Sequence, residues 1–262
     1  APMLYNGERV GNGNGPKVDI AVDPIDGTTL SAQGMPGALA VLAMAERGSM
    51  YSPGSVVYMD KIAVGPRAAG KIDLDAPVED NLHAVADARG KDINDLTAII
   101  LDRPRTEEYI NAVRRVGGRI RLIRDGDISG AIATADEVTG IDILLGIGGS
   151  PEAVIAAAAL ACMGGEIQAR LWPRDDSERQ YAFDNGLDIE SVLTQRDLVR
   201  SDNVFFAATG VTTGEFLQGV EFFGDGARTH SVVMRSKTGS VRSMHARHDF
   251  ERLRRISALV YD

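Results

Sequence analysis

Thr97-Ala98-Ile99-Ile100-Leu101 is an uninterrupted apolar run of strand length, and the elements downstream of it decide the architecture. After Pro104 the pattern predicts a helix over 106–116, then a strand over 119–123 and a helix over 127–135. A strand over 141–146 and a helix from Pro151 to Met163 complete the series. Strands that alternate with amphipathic helices form βαβ units and a mostly parallel sheet. In such sheets ligands gather outside the carboxyl ends of the strands. A helix over 79–89 precedes this run, and Asn203-Val204-Phe205-Phe206-Ala207-Ala208 comes after it as another buried strand.

Working back toward the start, the texture changes. Val18-Asp19-Ile20-Ala21-Val22 alternates with period two, and 37–46 and 55–65 read as further strands between glycine and proline punctuation. The first third is therefore expected to be a mainly antiparallel sheet with some helix. Gly11-Asn12-Gly13-Asn14-Gly15-Pro16-Lys17 is turn-rich, lacks a phosphate-loop signature, and reads as a surface hairpin tip. The expectation is an α/β protein in two parts: 1–77 with the first, mainly antiparallel sheet, and 78–262 with a second, mostly parallel sheet and flanking helices.

Composition narrows the function. The 262 residues carry 28 basic and 37 acidic side chains, a net charge of −9. Without a basic stripe, such a chain is a poor partner for nucleic acid or an anionic membrane. No run approaches the roughly 18 apolar residues of a membrane span, and no signal peptide opens the chain. Cys162, the one cysteine, excludes an intrachain disulfide and sits in an alanine-rich run as a buried small hydrophobe. A reducing cytoplasm fits that usage. His245 and His248 are three apart but lack a nearby third ligand. Gly146-Ile147-Gly148 begins a dinucleotide fingerprint that fails at Pro151.

The chemistry-bearing residues lie where strands end. In Asp23-Pro24-Ile25-Asp26-Gly27-Thr28-Thr29 two carboxylates three apart can surround a hard cation, and Thr28 offers a hydroxyl. An Asp-Pro turn with a helix-capping aspartate reads equally well. Gly148-Gly149-Ser150-Pro151-Glu152 opens a helix, which explains its proline and glutamate; it could also hold a phosphate and a metal. Arg103-Pro104-Arg105 could clamp a phosphate or pair with Glu107 or Glu108 on a solvated turn. Asp125-Gly126-Asp127 ends a strand, with Asp127 a natural cap. Tyr58, after two valines, reads by itself as a core-edge residue.

The seven-residue string from Asp23 to Thr29 closely resembles the metal-binding signature of the lithium-sensitive phosphatase superfamily. The wider chain resembles the bacterial class II fructose-1,6-bisphosphatases. That likeness runs through Ala1-Pro2-Met3-Leu4-Tyr5-Asn6-Gly7-Glu8, Tyr58-Met59-Asp60-Lys61 and Leu101-Asp102-Arg103-Pro104-Arg105. It continues through Asp125-Gly126-Asp127, Gly146 to Glu152, and Ser201 to Gly210.

The resemblance implies an α+β layered sandwich of the sugar-phosphatase type. It also implies hydrolysis of the 1-phosphate of fructose 1,6-bisphosphate with Mg²⁺ or Mn²⁺. Asp23, Asp26 and Glu152 would hold the ions, with Asp26 and Thr28 catalytic and Thr28 orienting and helping to deprotonate a metal-bound water. Substrate would meet Asp26, Gly27, Thr28, Tyr58, Arg103, Pro104, Arg105, Asp125, Gly126, Asp127 and Gly149. Asp125 to Asp127 would contact sugar hydroxyls, and Arg103 and Arg105 would anchor the uncleaved phosphate. A gluconeogenic, cytoplasmic enzyme that forms a homodimer or homotetramer belongs to the same expectation.

Two departures stand out. Family members carry a segment before Ala-Pro-Met-Leu-Tyr that gives an aspartate and a glutamate to the metal site, so the chain reads as a fragment. Many members also have glutamate where Asp26 stands. The alternatives are a sedoheptulose-1,7-bisphosphatase or inositol-phosphate phosphatase, or a silent sugar-phosphate binder.

Overall fold

A computed structural model describes Tyr5 and residues 7–256. Most of the opening Ala1–Glu8 stretch thus lies outside the described residues. Strand β1 (Val18–Asp26) leads through the short helix α1 (Thr28–Ala32) to β2 (Leu39–Glu46) and β3 (Tyr58–Val64). Then come α2 (Val78–Arg89), β4 (Thr97–Leu101), α3 (Glu107–Arg115), β5 (Arg119–Ile123) and α4 (Asp127–Ala135). They are followed by β6 (Ile143–Gly149), α5 (Ser150–Met163), β7 (Glu166–Leu171), α6 (Asp176–Asp184), β8 (Leu193–Thr194) and α7 (Gln195–Leu198). The described residues close with β9 (Phe205–Gly210), β10 (Glu221–Phe223), β11 (Gly226–Arg235), β12 (Ser240–Asp249) and α8 (Phe250–Ile256). Strands β4 and β5 and helix α4 occupy the residues expected for them, while β6 extends to Gly149.

The two sheets interleave along the sequence. The first has the order β1-β2-β9-β11-β10, with β12 also paired to β11, and every pairing in it is antiparallel. The second has the order β5-β4-β6-β3-β7-β8. Its strands β4, β5, β6 and β7 run the same way, as βαβ units require. Strand β3, from before residue 78, inserts antiparallel between β6 and β7, and β8 is antiparallel at the edge. The sheet is therefore mixed, not mostly parallel. Conversely β9 to β12 return to the first sheet, so the sheets do not divide at residue 77.

Four layers stack as sheet, helices, sheet, helices. Helices α4 and α5 lie between the sheets, and α2 and α3 cover the far face of the second sheet. Position explains the composition of α5, since a helix between two sheets must be apolar all round. Residues Ala153 to Leu160 are all buried, and their small side chains let both sheets close on the helix. Cys162 is buried on the same helix, and burial pushes its thiol up to about 11.

One charge sits deep in the second core. Asp142 is fully buried before β6 and accepts from Lys91 Nζ at 2.7 and 2.9 Å and from the Thr97 amide at 2.8 Å. Arg89 Nε stands 2.5 Å from the same carboxylate, close enough to neutralise it but outside hydrogen-bond alignment. These contacts tie the end of α2 to the starts of β4 and β6. Removing the carboxylate leaves two cations facing an apolar core. Asp142→Ala is therefore expected to cost about 3–5 kcal/mol in urea unfolding.

Candidate active site

The site is built from two similar strand-to-helix turns. At the end of β1 the ladder register slips between Asp23 and Asp26, where Asp23 faces Val41 and Asp26 faces Leu39. One extra residue is accommodated there, next to Pro24, which has no amide to give the ladder. In a regular strand, residues three apart point to opposite faces. The bulge breaks that alternation: Asp26 is buried, half-buried Asp23 is close enough to repel it, and Asp23 Oδ1 accepts from the Ile25 amide at 3.0 Å. Gly27 then turns the chain in the left-handed region, at φ 89°, to start α1. At the end of β5, Gly126 does the same at φ 82° to start α4.

Each turn caps the other's helix. Asp26 Oδ2 accepts from the Ser129 amide in the first turn of α4 at 3.3 Å. Asp125 Oδ2 accepts from the Thr29 amide in α1 at 3.0 Å, and its Oδ1 accepts from the Gly126 amide. The capping alternative from the sequence thus holds, but across two segments instead of within one. Both turns are locked into a single unit.

A third segment meets them from β6 and α5. Lys61 on β3, buried like Asp26 and Asp127, donates to Asp127 Oδ2 and to the Gly149 carbonyl at 3.1 Å. A Cβ on Gly148 would collide with Asp127 and Lys61, and one on Gly149 with Glu152. Glycine at both places lets the carboxylates lie against the backbone. Glu152 Oε2 is buried with no partner among the described residues. Burial pushes the Asp26 carboxyl well above the usual range, with Asp127, Asp23 and Glu152 raising it further. Burial and then Asp127 raise Glu152, and burial with Asp125 and Asp127 raises Asp23.

These groups suit a hard cation in their chemistry. All are oxygen donors, they repel one another, and one buried oxygen is orphaned. No three His, Cys, Asp or Glu side chains among the described residues are already gathered in coordinating geometry. Thr28 is exposed at the start of α1, its hydroxyl unbonded among the described residues.

Beside the carboxylates lies a cationic and aromatic wall. Tyr58 faces Gly149 across the β3–β6 ladder. The Arg105 guanidinium stacks on its ring at 4.2 Å while Arg105 Nε donates to the Ile147 carbonyl at 3.0 Å. Arg103 turns instead to the Asp102 and Arg124 carbonyls at 2.9 and 2.6 Å, bracing the ends of β4 and β5. Neither arginine pairs with Glu107 or Glu108. Pro104 starts the helical turn that carries Arg105.

The sequence reading missed Lys61, Ser129, Trp172 and Arg174 as contributors. Trp172 packs 6.3 Å from the Tyr58 ring, and Arg174, held by Glu178, lies 5.7 Å from it. A signal existed in Trp172-Pro173-Arg174, which comes after a strand and holds the sole tryptophan. His245 and His248 lie apart on β12, where His245 stacks on His230 and His248 bonds Thr229.

A carboxylate cluster flanked by arginine at the carboxyl ends of strands, on a layered α/β scaffold, has the donor types that phosphate-ester hydrolysis uses. Residues 1–248 match the family described as bacterial fructose-1,6-bisphosphatase, glpX-encoded. The chain is also 41% identical over 265 residues to fructose-1,6-bisphosphatase 1 class 2 of Escherichia coli K12, covering 96% of this chain and 79% of that relative. A class 2 fructose-1,6-bisphosphatase of Shigella flexneri is similar to the same extent, with 41% identity over 96% of this chain and 79% of its own. This chain belongs to the bacterial, glpX-encoded fructose-1,6-bisphosphatase family.

The raised carboxyls set the pH response. Their protons bind the folded chain more tightly than the unfolded one, so what these carboxyls contribute to cation-free stability is fullest below the ordinary values of 3.8 and 4.5. It falls as pH rises through the raised values. Asp26→Asn removes the most buried of these charges while keeping an acceptor for Ser129. In chelator at neutral pH it should melt higher than the parent, by about 2–4 °C per kcal/mol of repulsion relieved, and the gain should vanish in acid.

Proposed function

We propose that this chain hydrolyses the 1-phosphate of fructose 1,6-bisphosphate, giving fructose 6-phosphate and phosphate, with Mg²⁺ or Mn²⁺ held by Asp23, Asp26 and Glu152. The observation that carries the reading is the reciprocal capping, which joins the acidic motif of β1 to the Asp-Gly-Asp turn of β5. When bound, the cations supply charge neutralisation on the phosphoryl oxygens and activation of water.

The chain's own groups divide the remaining work. Thr28 Oγ1 accepts a hydrogen bond from the attacking water and orients it in line with phosphorus. Asp26, whose Oδ2 is engaged by the Ser129 amide, receives the proton on Oδ1. Asp125 has both oxygens committed to backbone amides, which makes it the clamp of the site. Asp127 has one oxygen on Lys61 and turns the other to a sugar hydroxyl. Arg105 keeps its terminal nitrogens free, and the Tyr58 ring holds the guanidinium flat for bidentate capture of the uncleaved phosphate.

The same reading makes the chain a gluconeogenic enzyme of the cytoplasm that works as a dimer or tetramer. A buried free cysteine and the lack, among the described residues, of a helix long and apolar enough to cross a membrane are compatible with it.

Phosphate release from fructose 1,6-bisphosphate with Mn²⁺ tests the proposal directly. Thr28→Ala is expected to lose about 10²–10⁴-fold in kcat with substrate affinity nearly unchanged. Asp23→Asn should weaken cation binding as well. Arg105→Lys should raise KM more than it lowers kcat, because a point charge cannot replace the planar fork. Binding without turnover at saturating Mn²⁺ would favour a silent sugar-phosphate binder. Faster turnover of sedoheptulose 1,7-bisphosphate would reassign the substrate.

A further inference from the structure

We infer that Lys61 is a built-in cation of the acidic site: a positioning residue that fixes Asp127 and the first turn of α5 while lowering the site's demand for divalent ions. This inference rests on the cation assignment made above and extends it to a residue outside the ligand set.

Lysine is almost never fully buried unless paired. Lys61 is 2% exposed on β3, with Gly146 of β6 opposite it on one side and Ala169 of β7 on the other. Small neighbours leave its stem room to cross the sheet face. Two of its three donors are taken, one by Asp127 Oδ2 and one by the Gly149 carbonyl. The backbone is shaped around the pair, since a Cβ at Gly148 would stand 2.8 Å from Lys61 Nζ. The ammonium therefore joins the β5 turn to the strand that delivers Glu152.

Charge gives the joint a second role. Asp23, Asp26, Asp127 and Glu152 repel one another, whereas Lys61 favours the ionised form of Glu152. It is one fixed positive charge among anions that otherwise need mobile ones. A merely structural lysine and a built-in cation make opposite forecasts when the charge is removed. Loss of structure would weaken divalent binding. Loss of a resident positive charge leaves the carboxylates more negative and strengthens it.

Calorimetric titration with Mn²⁺, without substrate, separates the two. Lys61→Met is expected to bind Mn²⁺ about tenfold more tightly than the parent or to take up an additional equivalent. Asp127→Asn should bind more weakly, and Lys61→Met/Asp127→Asn, which deletes one charge of each sign, should return to within about threefold of the parent. A folded Lys61→Met with unchanged or weaker Mn²⁺ binding overturns the inference. If that variant fails to fold, the double variant must bind more tightly than Asp127→Asn alone, and equality overturns it. If the parent binds no Mn²⁺, the cation assignment itself falls, an outcome distinct from failure of the variants alone.

Discussion

The exchange of helix caps between Asp26 and Asp125 is the constraint on which the site depends. Each carboxylate ends a strand of a different sheet, and each satisfies an amide in the helix that comes after the other. Helix starts leave amides unsatisfied, and the chain commonly supplies a cap from its own adjoining residue. Here the cap comes from the neighbouring layer. The geometry of the site is consequently set by how the two sheets stand around α4 and α5, and not by either loop alone.

That arrangement carries an electrostatic cost. Four carboxylates share a space from which water is partly excluded, and burial together with mutual repulsion works against their ionisation. Proteins accept such frustration at functional sites, where a ligand of opposite charge completes the balance. The molecule relieves part of it internally through Lys61 and through backbone amides aimed at the carboxylates. The apolar layers beneath, above all the alanine-rich α5, form the buried floor on which the cluster stands.

Much of this was legible in the sequence because it was written locally. Strand and helix periodicity located β4, α3, β5 and α4, and the Asp-Gly turns marked where chemistry collects. The placement of β3 was not legible, since an apolar strand does not say which sheet it joins. That insertion, with β8 antiparallel at the edge, makes the sheet mixed instead of parallel. The long hairpin of β11 and β12 was hidden for another reason: its outer strand is exposed along most of its length and carries serine, arginine and histidine instead of an apolar face. At the site, residue types could be read from turns, but Lys61 and Ser129 act on partners 66 and 103 positions away. No window of sequence holds both ends of such a contact.

The swapped caps also have a meaning in time. The partners are separated by 96 and 103 residues, so neither contact forms until a long loop closes. A growing chain that has emitted β1 and α1 holds the aspartate signature in full, yet lacks the amides and the second aspartate that fix it. The caps wait for the β5 turn, and the site is complete only once β6 and α5 have also brought Gly149 and Glu152 to it.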